Sequence, residues 1–353
     1  MEESELGGGG SIKVRVDLYH YYYNYRGVVR ITVLFAAVAI ASLLLYHSAS
    51  QNLQNFPNSF CNLLYSSSNG SSKNVELKEV LAKASMKDNK TVIVTTLNEA
   101  WAAPHSIFEL FLESFRIGNQ TQWLLNHLVV VALDKKAYEM CLKIHPNCYA
   151  LKSIDGFDFS GEAYFMAPDY LKMMWRRIDF LRSILDLGYN FIFTDIDIMW
   201  FRDPFQHFFS GPDFQIACDY FRGNPNDINN LPNGGFVYAR SNNKTQKFYK
   251  FWYKSREIYP GKHDQDVLNQ IKFDPFIHEI GLKIEFLDTS YFGGFCQPSK
   301  DLNRVCTMHA NCCAGLDNKV HDLKIMLDDW RNYISLPQND TRVSSWTVPQ
   351  LCG

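Results

Sequence analysis

The sequence predicts an α/β domain with a mostly parallel sheet, carried behind an N-terminal membrane-spanning helix. Three observations point that way. From residue 91 onward, β-branched apolar runs alternate with helical stretches, the pattern of strands joined by crossover helices. One of these runs, Phe191-Ile-Phe193, leads into Thr194-Asp195-Ile196-Asp197, and ligands of open α/β sheets bind at the carboxyl ends of strands. Near the start, Ile31–Tyr46 carries no charged residue.

Composition narrows the class. The chain has 353 residues, 46% apolar and 15% aromatic, enough to bury a large core. A net charge of -2 signals no basic face, so nucleic acid is not expected as a partner. Nine cysteines are too few for a disulfide scaffold, their odd count leaves at least one thiol free if the rest pair, and their spacing does not match a zinc site. Cys141 and Cys148 flank a short loop, Cys296 and Cys306 another, and Cys312 and Cys313 are adjacent. Cys218 closes the apolar run Phe214-Gln-Ile-Ala-Cys218 and is expected to be a buried free thiol.

Residues 1–27 are polar, with a glycine run and a tyrosine cluster, and read as a cytosolic tail. Adding Val28 and Val29, on the far side of Arg30, brings the segment to about the shortest length that crosses a bilayer, with Arg30 reaching the headgroups. Lys13, Arg15, Arg26 and Arg30 precede this segment, and no basic residue follows before Lys73. The positive-inside rule therefore makes residues 28–46 a signal anchor, with the remainder lumenal. A cleaved signal peptide is the alternative, since Ser48-Ala-Ser50 is small, but the n-region is long for one. Residues 47–89 read as a stem, in which Val75–Lys87 has helical spacing and is either a stem helix or the domain's first element. Glycosylation sequons at Asn69, Asn89, Asn119, Asn243 and Asn339 agree with a lumenal setting.

The domain spans residues 90–353. Thr91–Thr96 reads as a strand, Pro104–Phe115 as a helix, Leu124–Leu133 as a buried strand and Lys135–Ile144 as a helix. Cys148–Leu151 is a short strand. Pro168–Leu187 is an amphipathic helix with Leu171, Met174, Trp175, Ile178, Leu181 and Leu185 on one side, closed by Gly188. The strand ending at Asp195 and Asp197 follows at once. Beyond it, Phe214–Cys218, Gly235–Ala239, Lys283–Asp288 and Val305–His309 are strand-like.

Asp195 and Asp197, spaced i, i+2 on extended backbone, point to one side and can face one divalent cation. Acids of a solvated turn are the bland alternative. The surrounding Phe193, Ile196 and Ile198-Met-Trp200 argue against it, because unpartnered acids in so apolar a setting cost several kcal/mol. Asn233-Gly234-Gly235-Phe236 opens a strand and allows close backbone approach, or is a plain hairpin turn. His263-Asp264-Gln265-Asp266 looks like a helix N-terminus capped by Asp264, with Gln265 and Asp266 placed to hold a sugar hydroxyl. His309 ends a strand; beside Asp197 it becomes a third ligand, and such a mixed set favours Mn2+ over Ca2+. Lys319 is then placed to neutralise a phosphate.

In this order, the anchor, Gly-Tyr-Asn-Phe-Ile-Phe-Thr-Asp-Ile-Asp-Ile-Met-Trp-Phe-Arg-Asp-Pro, Asn-Gly-Gly-Phe, Asp-Gln-Asp-Val-Leu-Asn and a late His, Gly and Lys resemble the plant nucleotide-diphospho-sugar transferase family. The chain is similar to glycosyltransferase family 77 over about Thr91 to Arg331. The resemblance implies a GT-A, Rossmann-like catalytic domain and a UDP-sugar donor, with the sugar a pentose or galactose. It further implies Mn2+ (or Mg2+), a polysaccharide or glycoprotein acceptor, retention of configuration, and a single-pass type II position in the Golgi membrane. It places Asp195 at the donor ribose or metal shell and Asp197 and His309 on the metal. Thr95, Thr96 and Asn98 fall in the nucleotide pocket. Asn233, Gly234, Gly235 and Phe236, and Asp264, Gln265 and Asp266, border donor sugar and acceptor. Extra residues between His309 and Gly315 depart from the related His-x-x-Gly-x-x-Lys pattern and separate Lys319 from its expected place. Two other classes end a strand in Asp-x-Asp or keep a dead site: an aspartate phosphohydrolase, whose first Asp is the nucleophile, and an inactive sugar-nucleotide-binding membrane protein.

Overall fold

The computed structural model describes residues 75–151, 161, 166–337 and 345–352. The tail, the anchor at 28–46, the stem up to residue 74 and the sequons at Asn69 and Asn339 lie outside the described residues. No helix among the described residues is long and apolar enough to cross a membrane.

A seven-stranded mixed sheet forms the centre. Its strands are β1 (Thr91–Leu97), β2 (Leu128–Ala132), β3 (Cys148–Ala150), β4 (Asn190–Thr194), β6 (Phe214–Tyr220), β7 (Leu231–Ala239) and β8 (Ile284–Phe286), in the order β3-β2-β1-β4-β7-β6-β8. The first four are parallel; β7 lies antiparallel between β4 and β6, and β8 runs parallel to β6. A second sheet of three short strands has β10 (Thr307–His309) between β5 (Ile198–Trp200) and β9 (Phe292–Gly294).

Alternation along the strands sorts the core onto two faces. On one face Val92, Val94, Phe191 and Phe193 pack against α5 (Pro168–Asp186) and α6 (Asn243–Ser255). Residues 75–84, helix α1, add Leu77, Leu81 and Ala84 to that layer, so this helix belongs to the domain core. On the other face Ile93, Leu97, Val130 and Ile192 meet Phe108, Phe111 and Phe115 of α3 (Ile107–Ile117), the small sheet, and Trp330 of α9 (Leu316–Ile334).

Two expected elements divide differently. The helix expected from Pro104 is two pieces, α2 (Glu99–Ala102), capped by Asn98, and α3. Pro104 holds Ala103 extended, so one helix cannot run through both. The strand expected from Leu124 begins at Leu128, because Gln122–His127 coils into a 3-10 turn that buries Leu124. By contrast, α4 (Lys135–Ile144) has the expected ends, and Gly188 follows α5 with φ +83, the left-handed residue that ends a helix.

Cys141 and Cys148 form a disulfide. Cys296 pairs with Cys312 and Cys313 with Cys352, while Cys218 and Cys306 are buried free thiols. Cys296 and Cys306 therefore flank their loop without joining across it. Parallel pairing of β9 with β10 sets Gly294 opposite His309 and brings together the loops that follow the two strands, which carry Cys296 and Cys312.

Candidate active site

Thr194 ends β4, and Asp195, Ile196 and Asp197 occupy a turn before β5 begins. The two acids are thus turn residues and not the extended pair that their spacing suggested. Both sides of the turn are pinned. The Asp195 amide donates to the Gly235 carbonyl at 2.7 Å, and the Ala310 amide to the Asp197 carbonyl at 3.0 Å. These anchors, one on β7 and one just past β10, draw the side chains together with His309.

Ligand atoms of Asp195, Asp197 and His309 all lie within 4.8 Å of one another. Two ligands on opposite sides of an ion at about 2.1 Å stand about 4.2 Å apart, so shifts of a few tenths of an ångström close this set on a small divalent cation. His309 Nε2 is 3.1 Å from Asp197 Oδ1, and Lys319 Nζ is 2.5 Å from Asp197 Oδ2. Burial raises the Asp197 carboxyl, but Lys319 and His309 together outweigh it and hold the group far below the ordinary carboxylate range. Burial lifts Asp195 above that range against the pull of Arg177.

These groups line a cleft of about 760 Å³ at the carboxyl ends of β1 and β4. Four carboxylates, Asp195, Asp197, Asp219 and Asp264, share it with two permanent cations, Arg177 and Lys319. The imbalance suits a divalent cation. Arg177, buried in α5, donates to Asp195 Oδ1 at 2.9 Å and to Asp264 Oδ2 at 2.6 Å. Its guanidinium lies 4.8 Å from the centre of the Phe193 ring. Burial raises the Asp264 carboxyl, and Arg177 and His263 overcome this to hold it low. Asp264 Oδ1 has only a 3.6 Å contact with His263 Nδ1, and Arg177 Nε donates to no protein atom. Both atoms are buried behind the cleft wall.

Gly235 explains the Asn-Gly-Gly sequence. The segment lies within β7, not in a hairpin turn. A Cβ on Gly235 would stand 2.7 Å from both Asp195 Oδ2 and His309 Cε1, so the close approach is to the site's own residues. Gly235→Ala is expected to cost about 1–3 kcal/mol of stability through forced displacement. It is also expected to remove any stabilisation by Mn2+ with UDP. A variant that unfolds at a lower temperature yet keeps the full ligand-induced shift in a melt would contradict this.

Most of the expected residues converge. Asp195, Asp197, His309, Asn233, Gly235, Gln265, Thr96, Asn98 and Lys319 line the cleft. Gly234 stands behind it, its amide donating to Gln265 Oε1 at 3.0 Å. The spacing after His309 does not displace Lys319. Gly315, at φ +86, starts α9, and Lys319 arrives at Asp197 one turn later. Two expectations fail. Thr95 is fully buried within β1 and does not line the cleft, since alternation sends only Thr96 that way. Asp266 lies outside it too, 41% exposed and 3.4 Å from His263 Nε2. The helix α7 (Asp264–Ile271) is capped by His263, not by Asp264, and it is Asp264 that turns inward. Arg177, Asp219 and Asn311 were not anticipated. The one visible signal for Arg177 is its place among Met174, Ile178 and Leu181 on the apolar face of α5.

Residues 123–323 match the family described as nucleotide-diphospho-sugar transferase. An uncharacterised protein of Arabidopsis thaliana is 52% identical over 78% of this chain and 73% of its own length. A UDP-D-xylose:L-fucose alpha-1,3-D-xylosyltransferase of the same plant is 25% identical over 75% of this chain and 77% of its own. Mouse xyloside xylosyltransferase 1 overlays with a TM-score of 0.41 at 14% identity, covering 63% of this chain and 98% of that one.

Proposed function

Since the chain belongs to the nucleotide-diphospho-sugar transferase family and is a glycosyltransferase, we propose that it moves a pentose or galactose from a UDP-sugar with the help of Mn2+. The observation that carries this reading is the convergence of Asp195, Asp197, His309 and Lys319 on one point of the cleft. Asp195, Asp197 and His309 hold the ion; Mn2+ suits their mixed oxygen and nitrogen donors, and Mg2+ is the alternative. When bound, the ion stabilises charge on the departing diphosphate.

The protein's own groups do the rest. Lys319, which donates to Asp197 at the edge of the cleft, would place its ammonium on the diphosphate. Thr96 and Asn98 border the nucleoside side of the cleft. Asp264 and Arg177 border the sugar side of the cleft, where their paired charges position the donor sugar against the acceptor. Each carboxylate among the described residues of the cleft, Asp195, Asp197, Asp219 and Asp264, already has a cationic or amide partner. In this reading transfer proceeds with retention, from the leaving-group side, and the acceptor's proton passes to the departing phosphate oxygen. The acceptor is a polysaccharide or a glycoprotein glycan. UDP-xylose is the first donor to test, because relatives at 22–27% identity are named as xylosyltransferases.

We place the domain in the Golgi lumen on a GT-A-type scaffold, anchored through residues 28–46. Three disulfides suit an oxidising compartment. The test is a melt of the full chain in detergent with UDP, with Mn2+ and with both. Ligand at about a hundred times its Kd stabilises by about 2.7 kcal/mol. A shift that needs both together is expected. No shift with any nucleotide, together with phosphate release from a simple phosphomonoester, would overturn the proposal in favour of the phosphohydrolase. Binding without turnover on any donor would favour the inactive module.

A further inference from the structure

We propose that Asp219 is a positioning residue that locks the small sheet, which carries His309, onto the large sheet, from whose strand β4 the Asp195–Asp197 turn departs. Asp219 sits near the end of β6, partly exposed in the cleft. Among the described residues no lysine or arginine forms an ion pair with it. Its partners are three neutral amides. Asn233 Nδ2 donates to Oδ1 at 2.7 Å, Asn311 Nδ2 to Oδ1 at 2.8 Å, and Gln265 Nε2 to Oδ2 at 2.7 Å.

Those amides share one orientation. Each gives its NH2 to Asp219, so each turns its carbonyl oxygen outward to accept a backbone N–H. Gly235 N donates to Asn233 Oδ1 at 2.8 Å, Gly234 N to Gln265 Oε1 at 3.0 Å, and Cys296 N to Asn311 Oδ1 at 3.1 Å. An amide has one donor end and one acceptor end. A carboxylate that only accepts at the hub therefore dictates which end each of the three spokes presents at the rim.

The rim segments are the ones that set the site. Gly235 lies against Asp195 and His309 and receives the Asp195 amide on its carbonyl. Cys296 follows β9, the strand paired with β10 and its terminal His309. Asn311 is two residues past His309 and follows Ala310, whose amide pins Asp197. The hub thus joins β6, β7, α7 and both loops of the small sheet within hydrogen-bonding distance of the cleft. Asn233 and Asn311 are each 8% exposed, so water cannot readily replace a lost partner.

Asp219→Asn keeps size and shape but sets an NH2 against donor NH2 groups. At least one spoke must flip or lose its bond, and its rim N–H is released. The first readout needs no ligand. In hydrogen exchange on the full chain in detergent, peptides holding Gly234–Gly235 and Cys296 are expected to exchange at least about tenfold faster in Asp219→Asn. Peptides from β1 and β4 should exchange as in the wild type. Gln265→Ala, which cuts one spoke on a partly exposed residue, should speed exchange at Gly234 alone and covers the case in which Asp219→Asn does not fold. Unchanged exchange at all three rim amides in a folded variant would overturn the proposal.

The second readout rests on the transferase reading. Affinity for UDP in the presence of Mn2+ should fall about tenfold in Asp219→Asn. In the double variant Asp219→Asn/Gln265→Ala it should fall little further, because Asp219 acts through its amides. Full additivity would refute action through Gln265. A wild type that binds no UDP would sink the transferase reading and leave the exchange experiment to decide on Asp219.

Discussion

Asp197→Ala is expected to abolish Mn2+-dependent binding of UDP and to lower donor turnover by about a thousandfold or more. Asp197 is the common partner of His309 and Lys319 and the most buried of the three residues that converge on the ion position. Loss of several kcal/mol of charge stabilisation, at about 1.4 kcal/mol per tenfold, gives that scale. The fold should survive. Lys319 keeps 16% exposure and can reach water when its partner is removed, and the Ala310–Asp197 bond is made by backbone and persists. The measurement is UDP release from UDP-xylose and UDP-galactose by the full chain in detergent, with unfolding temperature followed in parallel. Undiminished turnover with Mn2+ bound would refute the assignment of Asp197. Lys319→Met should separate the roles, weakening UDP while sparing Mn2+, because it removes a competitor of the ion and not a ligand.

The site was legible in the sequence where its residues are contiguous or strictly ordered. Asp195, Asp197 and His309 each stand at a strand boundary, and strand boundaries show as changes in apolar patterning, while the Gly-Gly of β7 stands out by composition alone. What was not legible depends on contacts between distant segments. Arg177 meets Asp264 across 87 residues and Asp195 across 18, and only its place on the apolar face of α5 marks it apart from Arg176. Asp264 and Asp266 differ only by two steps around a helix, so sequence cannot say which one faces the cleft until the packing of Val267 and Leu268 is known. The adjacent Cys312 and Cys313 diverge to Cys296 and Cys352, a choice made by the parallel pairing of β9 with β10 and by the return of the C-terminal segment. Even the turn at Asp195–Asp197 is tertiary in origin, since β7 and the end of β10 hold it from either side.

Arg177→Met is expected to destabilise the protein by about 3–5 kcal/mol, the largest stability effect of any single substitution at the site. The methionine fills similar volume, but it leaves Asp264, 1% exposed, as a buried carboxylate without its cation. Lost packing over Phe193 adds to this. The pH dependence identifies the cause. In the wild type the Asp264 pKa is below its unfolded value of about 3.8, so its contribution is present above that pH and is lost as pH falls through the folded pKa. Without Arg177 the largest remaining influence on Asp264 is burial, which raises its pKa. The penalty in the variant then grows as pH rises above about 3.8 and disappears in acid. The gap in unfolding free energy between wild type and Arg177→Met should therefore be widest near neutrality and shrink toward pH 4. Denaturant titrations at pH 7, 5.5 and 4 read it directly. Asp264→Asn placed on top of Arg177→Met should restore a large part of the loss at pH 7, since it removes the stranded charge. A gap that stays constant with pH, or a double variant no more stable than Arg177→Met, would mean that Arg177 acts by packing and not as the counter-ion that keeps Asp264 charged inside the cleft.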